Sequence, residues 1–91
     1  MFTTSQKRTR FTKAELERRI EEINKDFEEA GALVRFITGH RNGYNTVDEY
    51  SVRKDGSRVG SGVNRMVGSG TPREAYNESY DVYCGIVREL F

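Results

Sequence analysis

Four basic side chains beside two predicted turns are the strongest candidates for binding chemistry in this 91-residue chain. They are Arg41, beside Asn42-Gly43, and Arg53, Lys54 and Arg58, beside Asp55-Gly56. Arginine in particular suits planar, bidentate recognition of phosphate or carboxylate. We therefore predict that both turns contact nucleic acid or an acidic protein, with simple solvation of the turn residues as the alternative.

Tyrosines near the C-terminus form the second candidate set. The chain has five tyrosines, and Tyr76, Tyr80 and Tyr83 recur on one side of a predicted helix. Tyrosine is enriched at protein interfaces because it combines apolar area with a polar tip. We predict Tyr76 and Tyr80 as binding residues, and we assign Tyr83 to the border of the core.

Residues that could catalyse a reaction or bind a metal are scarce. His40 and Cys84 are single copies, and nothing in the sequence brings them together. The glycine-rich segment 67–70 precedes a helix start but lacks the Lys-Ser/Thr pair of a phosphate-binding loop. We therefore predict a protein that is not an enzyme, with no catalytic residue, no metal site and no cofactor.

Composition excludes several further classes. The chain has 15 basic and 14 acidic residues, a net charge of +1, which is low for a dedicated nucleic-acid binder. No apolar run approaches the ~18 residues of a membrane span, and no secretory signal opens the chain. One cysteine excludes an internal disulfide framework. We expect one domain, in the cytoplasm, with no membrane partner.

The first predicted element follows a polar, basic segment. Residues 1–10 lack periodicity and predict a flexible basic arm, whereas residues 11–91 predict a single domain. Thr12 and Glu15 have the spacing of a helix-capping box, and Gly31 suits a left-handed C-cap, which predicts a helix over 12–30. Its apolar stripe is Leu16, Ile20, Ile23 and Phe27.

Three strands and a second helix are predicted next. The strands cover 32–38, 44–54 and 57–67, and Asn-Gly and Asp-Gly predict the two tight turns between them. Gly60 and Gly62 predict a bulge or a close backbone approach within the third strand. Thr71, Pro72 and Glu74 then have the pattern of a capped helix start.

These elements predict an α+β domain in the order α-β-β-β-α. Two tight turns make the three strands an antiparallel meander, and each helix has one apolar stripe to bury against the sheet. With both helices on one face, the opposite face stays open. We expect that open face, or a sheet edge, to meet a partner.

The α-β-β-β-α order, with a glycine-rich stretch before a capped second helix, resembles double-stranded RNA-binding domains. That resemblance implies contact with RNA phosphates. Segment 71–76 carries one arginine and one glutamate where that family places a lysine cluster, so the RNA-gripping residues of the family are not carried over.

Residues 12–91 also resemble small accessory proteins of phages and prophages. The shared features are a charged first helix, a meander with Asn-Gly or Asp-Gly turns, and a final helix opened by Thr-Pro-Arg-Glu and followed by tyrosine. That group includes inhibitors of host defence such as anti-CRISPR proteins. The resemblance implies a monomeric or homodimeric binding protein that blocks a host protein or ribonucleoprotein complex. The alternatives are a nucleic-acid-binding domain that uses the arm and the turns, and a structural homodimer.

Overall fold

The computed structural model describes residues 10–91 and confirms an α+β fold in the order α-β-β-β-α. The predicted arm, apart from Arg10, lies outside the described residues. The elements are α1 (Lys13–Ala30), β1 (Val34–Arg41), β2 (Tyr44–Ser51), β3 (Arg65–Gly70) and α2 (Pro72–Leu90).

Helix α1 begins and ends where its capping residues predict. The Thr12 side chain accepts a hydrogen bond from the Glu15 backbone N–H at 3.2 Å, and Gly31 adopts a left-handed conformation with φ of 80°. Gly31 donates its backbone N–H to Glu28 and so closes the last turn. All four residues of the predicted stripe are buried, which confirms that one face of α1 supplies the core.

Helix α2 has the complete capping box that its first residues predict. The Thr71 hydroxyl accepts from the Glu74 N–H at 3.2 Å, and the Glu74 carboxylate accepts from the Thr71 N–H at 2.9 Å. Pro72 is the first residue of the helix. Its lack of a backbone N–H costs nothing there, because an N–H at that position has no intrahelical acceptor. Ala75 and Ser79 are fully buried against the sheet.

The sheet is an antiparallel meander in the order β1-β2-β3. Asn42 and Gly43 both have positive φ, 52° and 82°, as the predicted Asn-Gly turn requires. Phe36 and Val47 point to the same side, because the register places Phe36 opposite Glu49 and side chains alternate along β2. Both are buried, so this side faces the helices.

Aromatic and small residues join the two layers. The Phe27 ring meets the Phe36 ring edge-on at 5.1 Å, which packs α1 on β1. Gly68 of β3 lies under α2, where a Cβ atom would collide with the Ala75 carbonyl oxygen and lie 3.3 Å from the Ser79 nitrogen. Both contacts lie on the same side of the sheet, which confirms that both helices cover one face.

The prediction for the third strand was wrong in position. The strand occupies Arg65–Gly70 instead of 57–67. The predicted two-residue Asp55-Gly56 turn is replaced by a three-residue connection, in which the Arg53 N–H donates to the Ser57 oxygen and the Gly56 N–H to the Arg53 oxygen, both at 2.8 Å. Only Gly56 has positive φ there, at 90°, and the strand-like pairing is limited to one bridge between Val52 and Arg58. The chain then leaves the sheet through segment 59–64. The bulge lies opposite Val47 and Asp48, and the close backbone approach is at Gly68, so neither is at Gly60 or Gly62.

Candidate functional site

Within residues 10–91, one face of the sheet has no helix against it, and we call it the open face. Its members follow from the register and the alternation of side chains. They are Arg35, Ile37, Gly39, Arg41, Tyr44, Thr46, Asp48, Tyr50, Met66 and Ser69. Ile37, Tyr44 and Met66 are 42%, 61% and 52% exposed. Exposed large apolar side chains on three neighbouring strands are typical of an interaction surface.

One end of the open face holds an ion pair and a buried hydroxyl. Arg41 donates to the Asp48 carboxylate at 3.0 Å, and the Asp48 side chain is only 13% exposed. Thr46 is buried between its neighbours Gly39 and Ser69, and its hydroxyl has no hydrogen-bond partner among residues 10–91. A shallow cleft of about 380 Å³ lies here, lined in part by Tyr44 and Met66.

Arg58 packs on Tyr50 at the other end of the open face. Its guanidinium lies 4.2 Å from the Tyr50 ring centroid and donates to the carbonyl oxygens of Ser61 and Gly62 at 3.3 and 3.0 Å. These contacts fasten segment 59–64 to the sheet. Arg58 therefore serves the local structure, and the guanidinium that the sequence predicts as a phosphate or carboxylate ligand is largely engaged within the chain.

Both sheet edges receive side chains from the helices. The Asn24 amide of α1 donates to the Phe36 carbonyl and accepts from the Phe36 N–H, both at 2.8 Å. On the opposite edge, the Glu78 carboxylate of α2 accepts from the Ser69 N–H at 3.0 Å. Arg35 adds a bond to the Val34 carbonyl at 2.7 Å. These bonds occupy some of the backbone groups that an added strand would need at each edge.

The structure separates the predicted basic residues. Arg41 lies next to the β1–β2 turn, whereas Arg53 and Lys54 lie in the turn at the far end of β2. Arg53 also donates to the Ser57 hydroxyl and the Arg58 carbonyl at 3.3 and 2.9 Å. The predicted set is therefore two groups at opposite ends of β2.

Tyr76 and Tyr80 lie on α2, away from the open face. Tyr76, Tyr80 and Tyr83 form a row with ring centroids 5.6 and 5.4 Å apart. Tyr80 is exposed, and a hydrogen bond with the Cys84 thiol raises the pKa of its phenol. Tyr83 packs on Phe27 and borders the core, as predicted. The tyrosines and the turn arginines do not form one site.

The Tyr83 hydroxyl joins the two helices. It donates to the Asp26 carboxylate of α1 at 2.6 Å. This hydrogen bond and partial burial raise the pKa of Tyr83 to about 12, because both favour the neutral phenol next to a carboxylate. The contact fixes how α2 lies along α1.

A cluster of arginines that sequence analysis did not single out lies at the start of both helices. The helices run parallel, so Phe11, before α1, meets Tyr76, in α2, at 5.5 Å. A cleft of about 380 Å³ opens there, and we call it the arginine cleft. Its lining residues are Arg10, Phe11, Glu15, Arg19, Arg73, Tyr76 and Asn77. The sequence does place an aromatic residue and an arginine close together at each helix start, Arg10 with Phe11 and Arg73 with Tyr76. Only tertiary packing brings the two helix starts together.

Charge is divided between the two layers. Helices α1 and α2 carry eleven acidic and six basic residues, whereas residues 31–71 carry six basic and three acidic ones. One of those three acids, Glu49, is buried on the helix side and paired with Arg65 at 2.9 Å. The sheet layer is therefore net positive and the helix layer net negative.

Neither single-copy residue joins a reactive cluster. His40 is exposed on β1, and Cys84 is half-buried on α2. Within residues 10–91, no three His, Cys, Asp or Glu side chains are grouped as they would be around a metal ion. None of the described helices has the length and apolarity to cross a membrane. No protein family, curated protein or solved structure matches this chain.

Proposed function

We propose that this protein is a non-enzymatic binding protein that docks through its open face on a larger host protein or ribonucleoprotein complex and blocks it. Its resemblance to small phage accessory proteins makes the proposed role that of a phage-type inhibitor of host defence, similar to anti-CRISPR proteins, acting in the host cytoplasm. The exposed side chains of Ile37 and Met66, on a sheet face that no other element of residues 10–91 covers, are the observation that carries the proposal.

The composition of the open face suits a protein interface. Methionine, tyrosine and arginine are enriched where protein surfaces meet, and Met66, Tyr44 and Arg41 lie together around one shallow cleft. Strand addition would need free backbone groups along an edge, and Asn24 and Glu78 occupy part of each edge. A partner that covers the open face would bury the exposed apolar side chains and leave those edge hydrogen bonds in place.

Charge favours an acidic partner. Arg41, exposed although paired with Asp48, lies at one end of β2, and Arg53 and Lys54 lie beyond its other end. A partner surface with an apolar centre and an acidic border complements this arrangement, and opposite potentials also accelerate encounter. Two copies of the positive sheet layer repel each other, so the same charge disfavours a homodimer formed face to face.

The test compares two substitutions of matched exposure. Ile37→Glu adds a carboxylate at the centre of the open face, and Leu90→Glu adds one at a site of equal exposure, 42% and 43%, near the end of α2. Tagged wild-type protein and both variants serve as baits in a bacterial lysate, and circular dichroism checks that each is folded. We expect a bacterial protein or ribonucleoprotein that the wild type and Leu90→Glu retain and Ile37→Glu loses.

Inhibition is then measured on the purified partner. Wild type should lower the activity of that complex, and Ile37→Glu should not. Equal retention of every bound protein by Ile37→Glu and wild type would contradict docking through the open face. The remaining alternative is a homodimer, which light scattering over a range of concentrations detects. A wild-type dimer that Ile37→Glu converts to a monomer would show that the open face binds a second copy of the chain instead.

A further inference from the structure

The arginine cleft lies on the helix side of the molecule and is separate from the open face. Three guanidinium groups, from Arg10, Arg19 and Arg73, line a space of about 380 Å³. They come from three places in the sequence: the residue before Phe11, the second turn of α1 and the first turn of α2. Convergence of like charges from separate segments costs electrostatic energy, which an anionic ligand would offset.

Aromatic rings hold two of these guanidiniums in place. Arg19 lies 5.5 Å from the Phe11 ring centroid and 5.2 Å from that of Tyr76, and Arg73 lies 5.0 Å from Phe11. Such contacts orient a guanidinium without neutralising its charge. Among residues 10–91, neither Arg10 nor Arg73 forms an ion pair with a carboxylate.

Among the described residues that line the cleft, only Glu15 is acidic, and its carboxylate is already hydrogen-bonded. The Glu15 carboxylate accepts hydrogen bonds from Arg18 at 2.5 Å and from Arg19 at 2.7 Å. These bonds lower the pKa of the Glu15 carboxyl and keep it ionised. One carboxylate shared between two arginines leaves the cleft with excess positive charge. The starts of both helices add the positive ends of their dipoles to it.

We propose that the arginine cleft binds the phosphodiester backbone of a nucleic acid. The N–H groups of an arginine guanidinium can donate two parallel hydrogen bonds to two oxygens of one phosphate. A chain of phosphates, and not a single one, fits because three guanidinium groups from separate segments line the cleft, and because the sequence from 1 to 13 has four basic and no acidic residues. Phe11 and Tyr76 have arginines against their rings, so the contact is with the backbone and independent of base sequence.

The experiment is fluorescence anisotropy of the full chain with labelled double-stranded RNA, duplex DNA and single-stranded DNA of equal length. Arg73→Gln removes one charge from the cleft, and Arg88→Gln removes one from the last turn of the same helix. Wild type should bind at least one probe at low salt and lose affinity steeply as salt rises. Arg73→Gln should reduce the slope of log affinity against log salt by about 1, and Arg88→Gln should leave it unchanged.

Three results would overturn the proposal. The first is no binding of any probe by wild type at low salt. The second is an equal loss of affinity in Arg73→Gln and Arg88→Gln, which would mean that general charge and not the cleft attracts the probe. The third is equally tight binding of poly-glutamate, which would remove the preference for phosphate.

Discussion

The Asn24 side chain bonds to the Phe36 backbone as a neighbouring strand would. Its Nδ2 donates to the Phe36 carbonyl oxygen and its Oδ1 accepts from the Phe36 N–H, each at 2.8 Å. Both Phe36 groups point away from β2, so they belong to the outer edge of the sheet. One amide therefore fastens α1 to β1 and closes the middle of an edge that could otherwise pair with another chain.

Asn24→Ala should destabilise the fold by about 1–3 kcal/mol, because two hydrogen bonds to partly buried backbone groups are lost. It should also promote association at high concentration, since the Phe36 groups become free to pair. Chemical denaturation and light scattering measure the two effects. Lys25→Ala, at an exposed position of the same helix, is the control, and a variant as stable and as monodisperse as that control would contradict the assigned role of Asn24.

Gly68→Ala should separate α2 from β3. The added Cβ would collide with the Ala75 carbonyl oxygen and lie 3.2 Å from the Ala75 carbonyl carbon, and backbone atoms cannot move aside as a flexible side chain can. We expect a loss of about 1–3 kcal/mol in the free energy of unfolding, as for other overpacked sites. The control is Gly62→Ala, where a Cβ meets nothing within 4 Å. Equal melting temperatures for the two variants would argue against the close approach.

Tyr83 should make stability depend on alkaline pH. Its pKa is raised from 10.0 to about 12 in the folded protein, so its contribution is complete below pH 10 and is lost as pH rises through 12. Tyr83→Phe removes the titrating group and the bond to Asp26, so it should be less stable than wild type at neutral pH and lose less between pH 10 and 12. Thermal unfolding in an alkaline buffer series measures this. Parallel curves for wild type and Tyr83→Phe would contradict it, and Tyr44→Phe controls for loss of an exposed tyrosine.

Helices and the first turn are predictable because their signals are local. Capping by Thr12 and Thr71 involves residues three apart, and the positive φ of Asn42 is a property of the turn itself. The position of the third strand depends instead on contacts between residues distant in the sequence. Valines at 59 and 63 suggest a strand, but the sheet resumes only at Arg65, where Glu49 supplies an ion pair and Gly68 allows α2 to approach.

Apolar residues on both sides of β1 explain why the candidate surface was incompletely predicted. Phe36 faces the helices and Ile37 faces outward, yet both are large and apolar, so alternation of polarity cannot separate them. Arg41 and Arg53 were predictable as exposed basic residues, whereas Arg58 is half-buried. Strand length decides that the turn arginines lie at opposite ends of the sheet. The path of segment 59–64 decides that Arg58 contacts Tyr50 and Gly62.

By itself, the sequence determined the element order, the buried stripe of α1 and the scarcity of catalytic residues, because these follow from residue type and short-range spacing. Tertiary structure alone decided that both helix starts converge, so that Arg19 and Arg73 flank Phe11, and that Asn24 lies against Phe36. The physical reason is that such contacts join residues distant in the chain. They form only when burial of the apolar faces brings the helices and the sheet together.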